Sequence, residues 1–211
     1  MPTPSLEPRK IPQQARAQAT IEVILEGATQ VLATDRLAGF NTNAIAERAG
    51  TSIGTFYQYF PNKEALLLAL IRRQKQQMFI NISASMQAAS NTDLEGAARL
   101  LIRGRMKHLR DNQSVALILS QQEMHLPIHA IKAGYLTQGS ELFASRLSHW
   151  GDTARGIDVL RAATTVPALV RGIFERWLSD RPESMDIAEQ EAVCGVLGYL
   201  QCLKRDRQGV A

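Results

Sequence analysis

Two short helical patterns with hardly a residue between them fill the stretch from Asn41 to Lys63, NTNAIAERAGTSIGTFYQYFPNK, and no other part of the chain restricts its fold so much. Asn41 or Thr42 can cap the first pattern, because either side-chain oxygen accepts from backbone N–H groups two or three residues on. Ile45, Ala46 and Ala49 then share one face, and Gly50 follows where a helix end favours a left-handed residue. Ser52 can cap the second pattern, in which Phe56 and Phe60, four residues apart, supply the inward stripe. Thr55, Gln58 and Tyr59 are left facing outward, flanked by Ser52, Gly54 and Tyr57.

This is the layout of a helix-turn-helix: a small Ala at the crossing, a Gly at the turn, and a second helix whose outer side carries hydrogen-bonding groups. The layout alone fits a plain packing unit as well as a DNA-binding one. Surface chemistry separates the two. A solvated helix face usually carries Glu and Lys, yet Ile53 to Phe60 is uncharged and shows hydroxyls, an amide and aromatic rings. Such groups donate to phosphates or read base edges without a buried charge.

The residues Ile45-Ala46, Ala49-Gly50, Ser52-x-Gly54-Thr55-Phe56-Tyr57-x-Tyr59-Phe60 and Lys63-x-x-Leu66 together resemble the DNA-binding domain of the TetR (tetracycline-repressor-like) family of transcriptional regulators. The match covers about the first third of the chain. Thr51 departs from it, standing where the family usually places a small aliphatic, and Ile53 stands where many members carry a polar residue. The resemblance implies that Lys63 contacts the DNA backbone. It also implies that two copies join through their last two long helices as a four-helix bundle, and that the body takes a ligand. On this reading Thr42, Ser52, Tyr57, Tyr59 and Lys63 hold phosphates and set the register. Thr55 and Gln58 read base edges, Gln58 favouring adenine, while Ile53 or the Thr55 methyl rests on a thymine methyl. Gly54 matters by its missing side chain, which lets the helix start approach the backbone.

The chain has 211 residues, long enough for a small head and a larger body, and its 45% hydrophobic content supplies a core. Net charge is +4 and pI about 9.3, a basicity that permits nucleic acid without demanding it. Through Lys75 there are nine Lys or Arg against six acids, so most of the excess falls in the head. No apolar run approaches the roughly 20 residues that span a bilayer, and the start lacks a signal-peptide segment, so a soluble cytoplasmic protein is expected. Cys194 and Cys202 lie eight apart in one helical pattern, too far along its axis to bridge within it. Packed reduced thiols, a bridge between subunits and a redox sensor remain open for them.

Pro2, Pro4, Pro8 and Pro12 forbid a stable helix over residues 1–12, which read as an arm, either idle or reaching along a groove. A helix over about 13–34 carries Ile21, Ile24, Leu25, Ala28, Val31 and Leu32 on one stripe, and Leu37 and Phe40 close the small core. Asn62 caps the next helix, which starts at Lys63 and runs unbroken through Met78 and Ile82. It therefore links a DNA-binding head, residues 13–73, to a ligand-binding and dimerisation body, residues 74–211. Five further helices follow, over about 93–110, 113–124, 127–150, 154–178 and 185–204, with no strand pattern, so the fold expected is all-α with about nine helices. Pro127 is expected in a first helical turn and Pro167 in a helix interior, where it bends the axis.

Met106, Leu117, Met124, Phe143, Phe174 and Trp177 are candidates to line an apolar cavity for a small apolar or amphipathic effector, or are ordinary core. Val166, Leu169 and Val170 in the penultimate helix, with Val193, Gly195, Val196, Leu197, Gly198 and Leu200 in the last, are candidates for a homodimer interface. A terminal helix with one large apolar stripe and one bare stripe is expected to be covered twice, by its own body and by another chain. His125 and His129 have a metal-like spacing, but Pro127 intervenes and nothing completes a ligand set, so no metal and no cofactor is expected. Neither an activated nucleophile nor a phosphate loop nor a carboxylate pair is evident, so the chain does not read as an enzyme. The reading is a sequence-specific DNA-binding regulator, a ligand-responsive repressor acting as a homodimer on a palindromic stretch of double-stranded DNA. A DNA-binding dimer without small-molecule input, and a helical adaptor or enzyme, are the alternatives.

Overall fold

The computed structural model describes residues 15–88, 92–111, 113–147, 157–180 and 184–208. The arm of residues 1–12 and the side chain of Phe143 lie outside the described residues. Among those residues there are nine helices and no strand: α1 (Ala15–Gly39), α2 (Thr42–Arg48), α3 (Ile53–Tyr59), α4 (Lys63–Ala88), α5 (Leu94–Asp111), α6 (Gln113–Gln122), α7 (His129–Leu147), α8 (Val159–Asp180) and α9 (Met185–Gln208). None of them is long and apolar enough to cross a membrane. The all-α expectation and the positions of the helices hold, with three local differences.

The first helix extends beyond Thr34 to Gly39 but is interrupted at Arg36, whose φ of 58° and ψ of −162° leave the helical region. That break turns Leu37 outward, so that it is 37% exposed and does not close the core; Phe40 alone does so, at 3%. Pro127 precedes α7 rather than entering its first turn, and Ile128 beside it is buried. Pro167 does lie inside α8.

The chain forms two compact units. The first comprises residues 1–74 and 114–128, the second 75–113 and 129–211. They therefore differ from a contiguous division at residue 73, because α6 packs with the head: Val115, Ile118 and Leu119 join the same apolar cluster as Ile24, Val31, Ile45, Phe56, Leu66 and Ile71. That cluster is what sets the head's helices. Each large side chain so enclosed contributes about 1.5–3 kcal/mol relative to exposure. On its rim Arg73 reaches Glu22 at 3.4 Å and Glu26 at 3.9 Å, a half-exposed pairing that ties α4 to α1 weakly.

α1 and α2 cross at Gly27. A methyl group there would lie 2.8 Å from both Cβ and the backbone nitrogen of Ala49, so only glycine admits this approach. In the second unit α8 packs on α9, α5 on α9 and α7 on α8. Asp93 and Asp158 stand at the starts of α5 and α8, their carboxylates accepting from the N–H groups of Gly96 at 2.8 Å and Arg161 at 3.0 Å.

Candidate nucleic-acid interface

The head's recognition element is assembled by backbone hydrogen bonds at each joint. Asn41, not Thr42, caps α2: its side-chain oxygen accepts from the Ala44 N–H at 2.9 Å. The other end closes by two reverse bonds, Gly50 N–H to Glu47 C=O at 3.0 Å and Thr51 N–H to Ala46 C=O at 2.9 Å. This pairing requires a left-handed residue between, and Gly50 supplies it with φ of 63°. Thr51 follows with its hydroxyl buried and without a hydrogen-bond partner. A small aliphatic at that place would leave nothing unpaired.

Ser52 caps α3, its Oγ accepting from the Thr55 N–H at 3.0 Å and lying 2.9 Å from Thr55 Oγ1. Phe56 and Phe60 are buried as expected, at 0% and 1%, and Tyr57 sets its ring at 86° to Phe56 with centroids 5.3 Å apart. That inner pair orients the outer face. Ser52, Ile53, Gly54, Tyr57 and Gln58 are exposed, and Thr55 is half-buried. Tyr59 differs from its expected outward placement: it is half-buried and its ring packs against the head's apolar cluster, leaving less of it to offer outside.

Two of the phosphate-binding candidates come from different helices yet meet. Thr42 Oγ1, at the start of α2, lies 3.3 Å from the Tyr57 hydroxyl on α3. Two hydroxyls so held act as a joint donor and acceptor pair beside the open face of α3. At the far end Asn62 accepts from the Ala65 N–H at 2.7 Å, and Lys63 is exposed as the first residue of α4. A cation at that end of a helix is unfavourable by a few tenths of a kcal/mol unless an anion is near.

Glycine separates inner from outer demands. At Gly54 an added Cβ would meet only Ser52 Oγ at 3.6 Å, an ordinary contact, so the fold does not require glycine there. A glycine inside a helix costs about 0.5–1 kcal/mol relative to alanine. Sequence reasoning put a small Ala where α2 and α3 cross but missed Gly27, which admits Ala49 against α1, although its place among Ile24, Ala28 and Val31 on the buried stripe was a signal.

Of the effector candidates, Met106, Phe174 and Trp177 are buried in the second unit. Leu117 is half-buried in the first unit, and Met124 in the same unit is 79% exposed, so it lines no enclosed cavity. The α6 helix ends at Gln122, and Met124 stands in the turn beyond it.

The interface candidates split in two. Val170, Val193, Val196 and Leu200 are buried at 8%, 1%, 5% and 3% by the chain's own helices, which packs them away from any second copy. Of the two stripes of α9, the large apolar one is thus the one covered by the chain's own helices. Val166, Leu169, Gly195 and Leu197 are half-buried and Gly198 is exposed, and Ile187, Cys194 and Cys202 are exposed along α9 as well. His125 and His129 are exposed, one in a turn and the other opening α7. Among the described residues no three His, Cys, Asp or Glu side chains gather as a metal site would need.

The family model of the bacterial regulatory proteins of the tetR family matches residues 24–70, from the buried stripe of α1 to the first turns of α4. The fatty acid metabolism regulator protein of Bacillus subtilis is 23% identical over 161 residues, 74% of this chain and 81% of that protein. The HTH-type transcriptional regulator EthR of Mycobacterium tuberculosis is 37% identical over 76 residues, which span 36% of this chain and 35% of EthR. Among solved structures, the fatty acid degradation regulator FadR from Bacillus halodurans superposes with a TM-score of 0.68 at 23% identity, covering 84% of this chain and 94% of that one. FadR from Bacillus subtilis, in complex with stearoyl-CoA, gives 0.64 at 21% identity, covering 86% and 96%. These relatives are regulators rather than enzymes. A helix-turn-helix held by these caps and this crossing lies in the very segment the family model matches, so residues 24–70 are a DNA-binding segment of the tetR family of bacterial regulatory proteins, within a fold shared with such regulators.

Proposed function

We propose that the protein is a ligand-responsive repressor that acts in the cytoplasm as a homodimer on a palindromic operator. The observation that carries the DNA-binding part is the uncharged open face of α3, with Ile53, Gly54, Tyr57 and Gln58 exposed over a Phe56 and Phe60 anchor. Gln58 and the Thr55 methyl read base edges, Ile53 rests on a thymine methyl, and the Thr42 and Tyr57 hydroxyls with Ser52 and Lys63 hold phosphates. Tyr59 contributes from the edge of this face. Two such heads meet successive major grooves about 34–36 Å apart when related by a two-fold axis.

Residues 13–73 are the DNA-binding part of this reading and 74–211 the part that binds effector and second copy. The effector is small and apolar or amphipathic; the stearoyl-CoA held by the similar FadR is a molecule of that kind. α4 begins at Lys63 in the first compact unit and continues past Gln74 into the second, and α6 returns the chain to the first unit. An effector that prefers one arrangement of the second unit's helices shifts the population through these two connections.

Footprinting on the DNA flanking its own coding region identifies the operator, and two variants then test the face. Lys63→Ala weakens binding to all sequences and lowers the salt slope by about 1 per head, whereas Gln58→Ala relaxes preference at one position by about 1–3 kcal/mol. Binding without sequence preference, unchanged by Gln58→Ala, would sink the reading. Thermal melting against hydrophobic compounds separates the ligand-responsive regulator from one without small-molecule input, since specific binding raises Tm.

A further inference from the structure

The exposed side of α9 is self-complementary about its centre. We propose that α9 pairs antiparallel with α9 of a second copy about a two-fold axis at Gly198, and that oxidation then joins Cys194 of each chain to the partner's Cys202. The inference rests on the homodimer proposed above and adds to it a register and a redox-sensitive bond.

Cys194 and Cys202 are both exposed and unbridged. Gly198 lies midway between them, exposed, and an added Cβ there would meet no atom within 4 Å. With about 100° per residue, both cysteines project about 40° either side of the Gly198 direction, so the three share one face. Within one chain the two thiols cannot join, since eight residues of helix rise about 12 Å and a disulfide needs Cα atoms within about 7 Å. A two-fold axis at Gly198 maps each position before it onto the position equally far after it. Cys194 then faces the partner's Cys202, and the same contact is repeated by symmetry.

The charge pattern selects this orientation. α9 carries Asp186, Glu189 and Glu191 in its first part and Lys204, Arg205 and Arg207, against one acid, Asp206, in its last. Glu189 and Glu191 already pair within the chain, with Arg103 at 2.8 Å and Arg176 at 2.6 Å, yet antiparallel pairing still keeps the two basic ends apart, whereas parallel pairing sets them side by side. Because Gly198 is near the middle of α9, positions 188–208 of the two helices overlap along almost their whole length. The missing side chain at the axis also meets the geometry of the bond: packed helices usually lie about 8–10 Å apart, and bridged Cα atoms must come closer.

The oxidant is a low-molecular-weight disulfide. Its sulfur is attacked by the Cys194 thiolate, which releases one small thiol and leaves a mixed disulfide; the partner's Cys202 thiolate displaces the second small thiol and completes the bond. Two protein thiols are oxidised per bond, and the small disulfide is reduced to two thiols that carry away the two protons. The dimer so joined survives dilution, and its hold on a two-site operator with it.

The test uses the full chain, reduced and then treated with oxidised glutathione. Sedimentation of the reduced protein shows whether it is a dimer, and a non-reducing gel shows the covalent product. The expected result is a reductant-sensitive band of dimer mass for the unaltered chain and its loss in Cys194→Ser and in Cys202→Ser. An equimolar mixture of the two variants, exchanged while reduced, regains the band, and the band contains one copy of each. A band from Cys202→Ser alone would mean Cys194 faces itself, which overturns the proposed axis. A reduced dimer without the covalent band overturns the inference and leaves the homodimer standing, whereas a monomer under all conditions overturns the homodimer as well.

Discussion

α3 and α9 are built alike on the inside and differently on the outside. Each turns a stripe of large apolar side chains to its own unit, Phe56 and Phe60 in one, Val193, Val196 and Leu200 in the other. Each leaves a second stripe uncovered, with a glycine in it that no neighbouring atom demands, Gly54 and Gly198. Around Gly54 stand hydroxyls, an amide and a phenol; around Gly198 stand two thiols and, a few turns away, an exposed Ile187. The inner faces obey the same burial physics and say nothing of partners. The outer faces carry that information: polar uncharged groups suit a hydrated, anionic duplex, while small apolar groups suit another helix at close range.

The sharpest way to break this comparison is a charge at the centre of the α9 face. Gly198→Glu leaves the chain's own packing untouched but buries two like charges at the proposed axis, an expected loss of about 3 kcal/mol or more, roughly 100-fold in self-association, measured by sedimentation equilibrium. A dimer of unchanged strength would mean that α9 is bare for another reason. Gly27→Ala tests the opposite kind of glycine, one held by its own chain. A Cβ placed 2.8 Å from the Ala49 backbone overpacks the crossing of α1 and α2 and lowers unfolding stability by about 1–3 kcal/mol, read as a fall in the urea midpoint.

Thr51→Val removes the unpaired buried hydroxyl behind the turn and raises unfolding stability by about 1 kcal/mol, read as a rise in the same midpoint, with operator affinity unchanged. Gly54→Ala has the smallest effect on stability, a gain of about 0.5–1 kcal/mol from helix propensity, yet operator affinity falls in a mobility-shift titration. Equal affinity in that variant would show that α3 does not approach the duplex at this point, and the contrast between the two outer faces would lose its polar half.

Much of the head was readable from local pattern because its rules are local. Ser52 and Asn62 at helix starts, Gly50 after α2 and the spacing of Phe56 and Phe60 each act within about one helical turn, and each holds in the structure. Three features of the same region were not readable. Thr42 meeting Tyr57 depends on how two helices cross, and Tyr59 leaning inward depends on the cluster beside it. Leu37 turns outward because the backbone breaks at Arg36, which no residue type announces. In the body, periodicity located α8 and α9 but not which stripe of α9 was covered. Val193, Val196 and Leu200 look the same in the sequence whether they meet their own chain or another.

The amino-acid order by itself determined where helices start and stop, which of their positions are apolar, and that the outer face of α3 bears no charge, since capping, backbone conformation and burial preference act over a few residues. The tertiary structure alone decided that α6 joins the head's core, that Gly27 admits Ala49, and that the apolar stripe of α9 is already occupied. Those outcomes are set by which surfaces reach each other first and fill the available volume, a competition among distant segments that local pattern cannot rank.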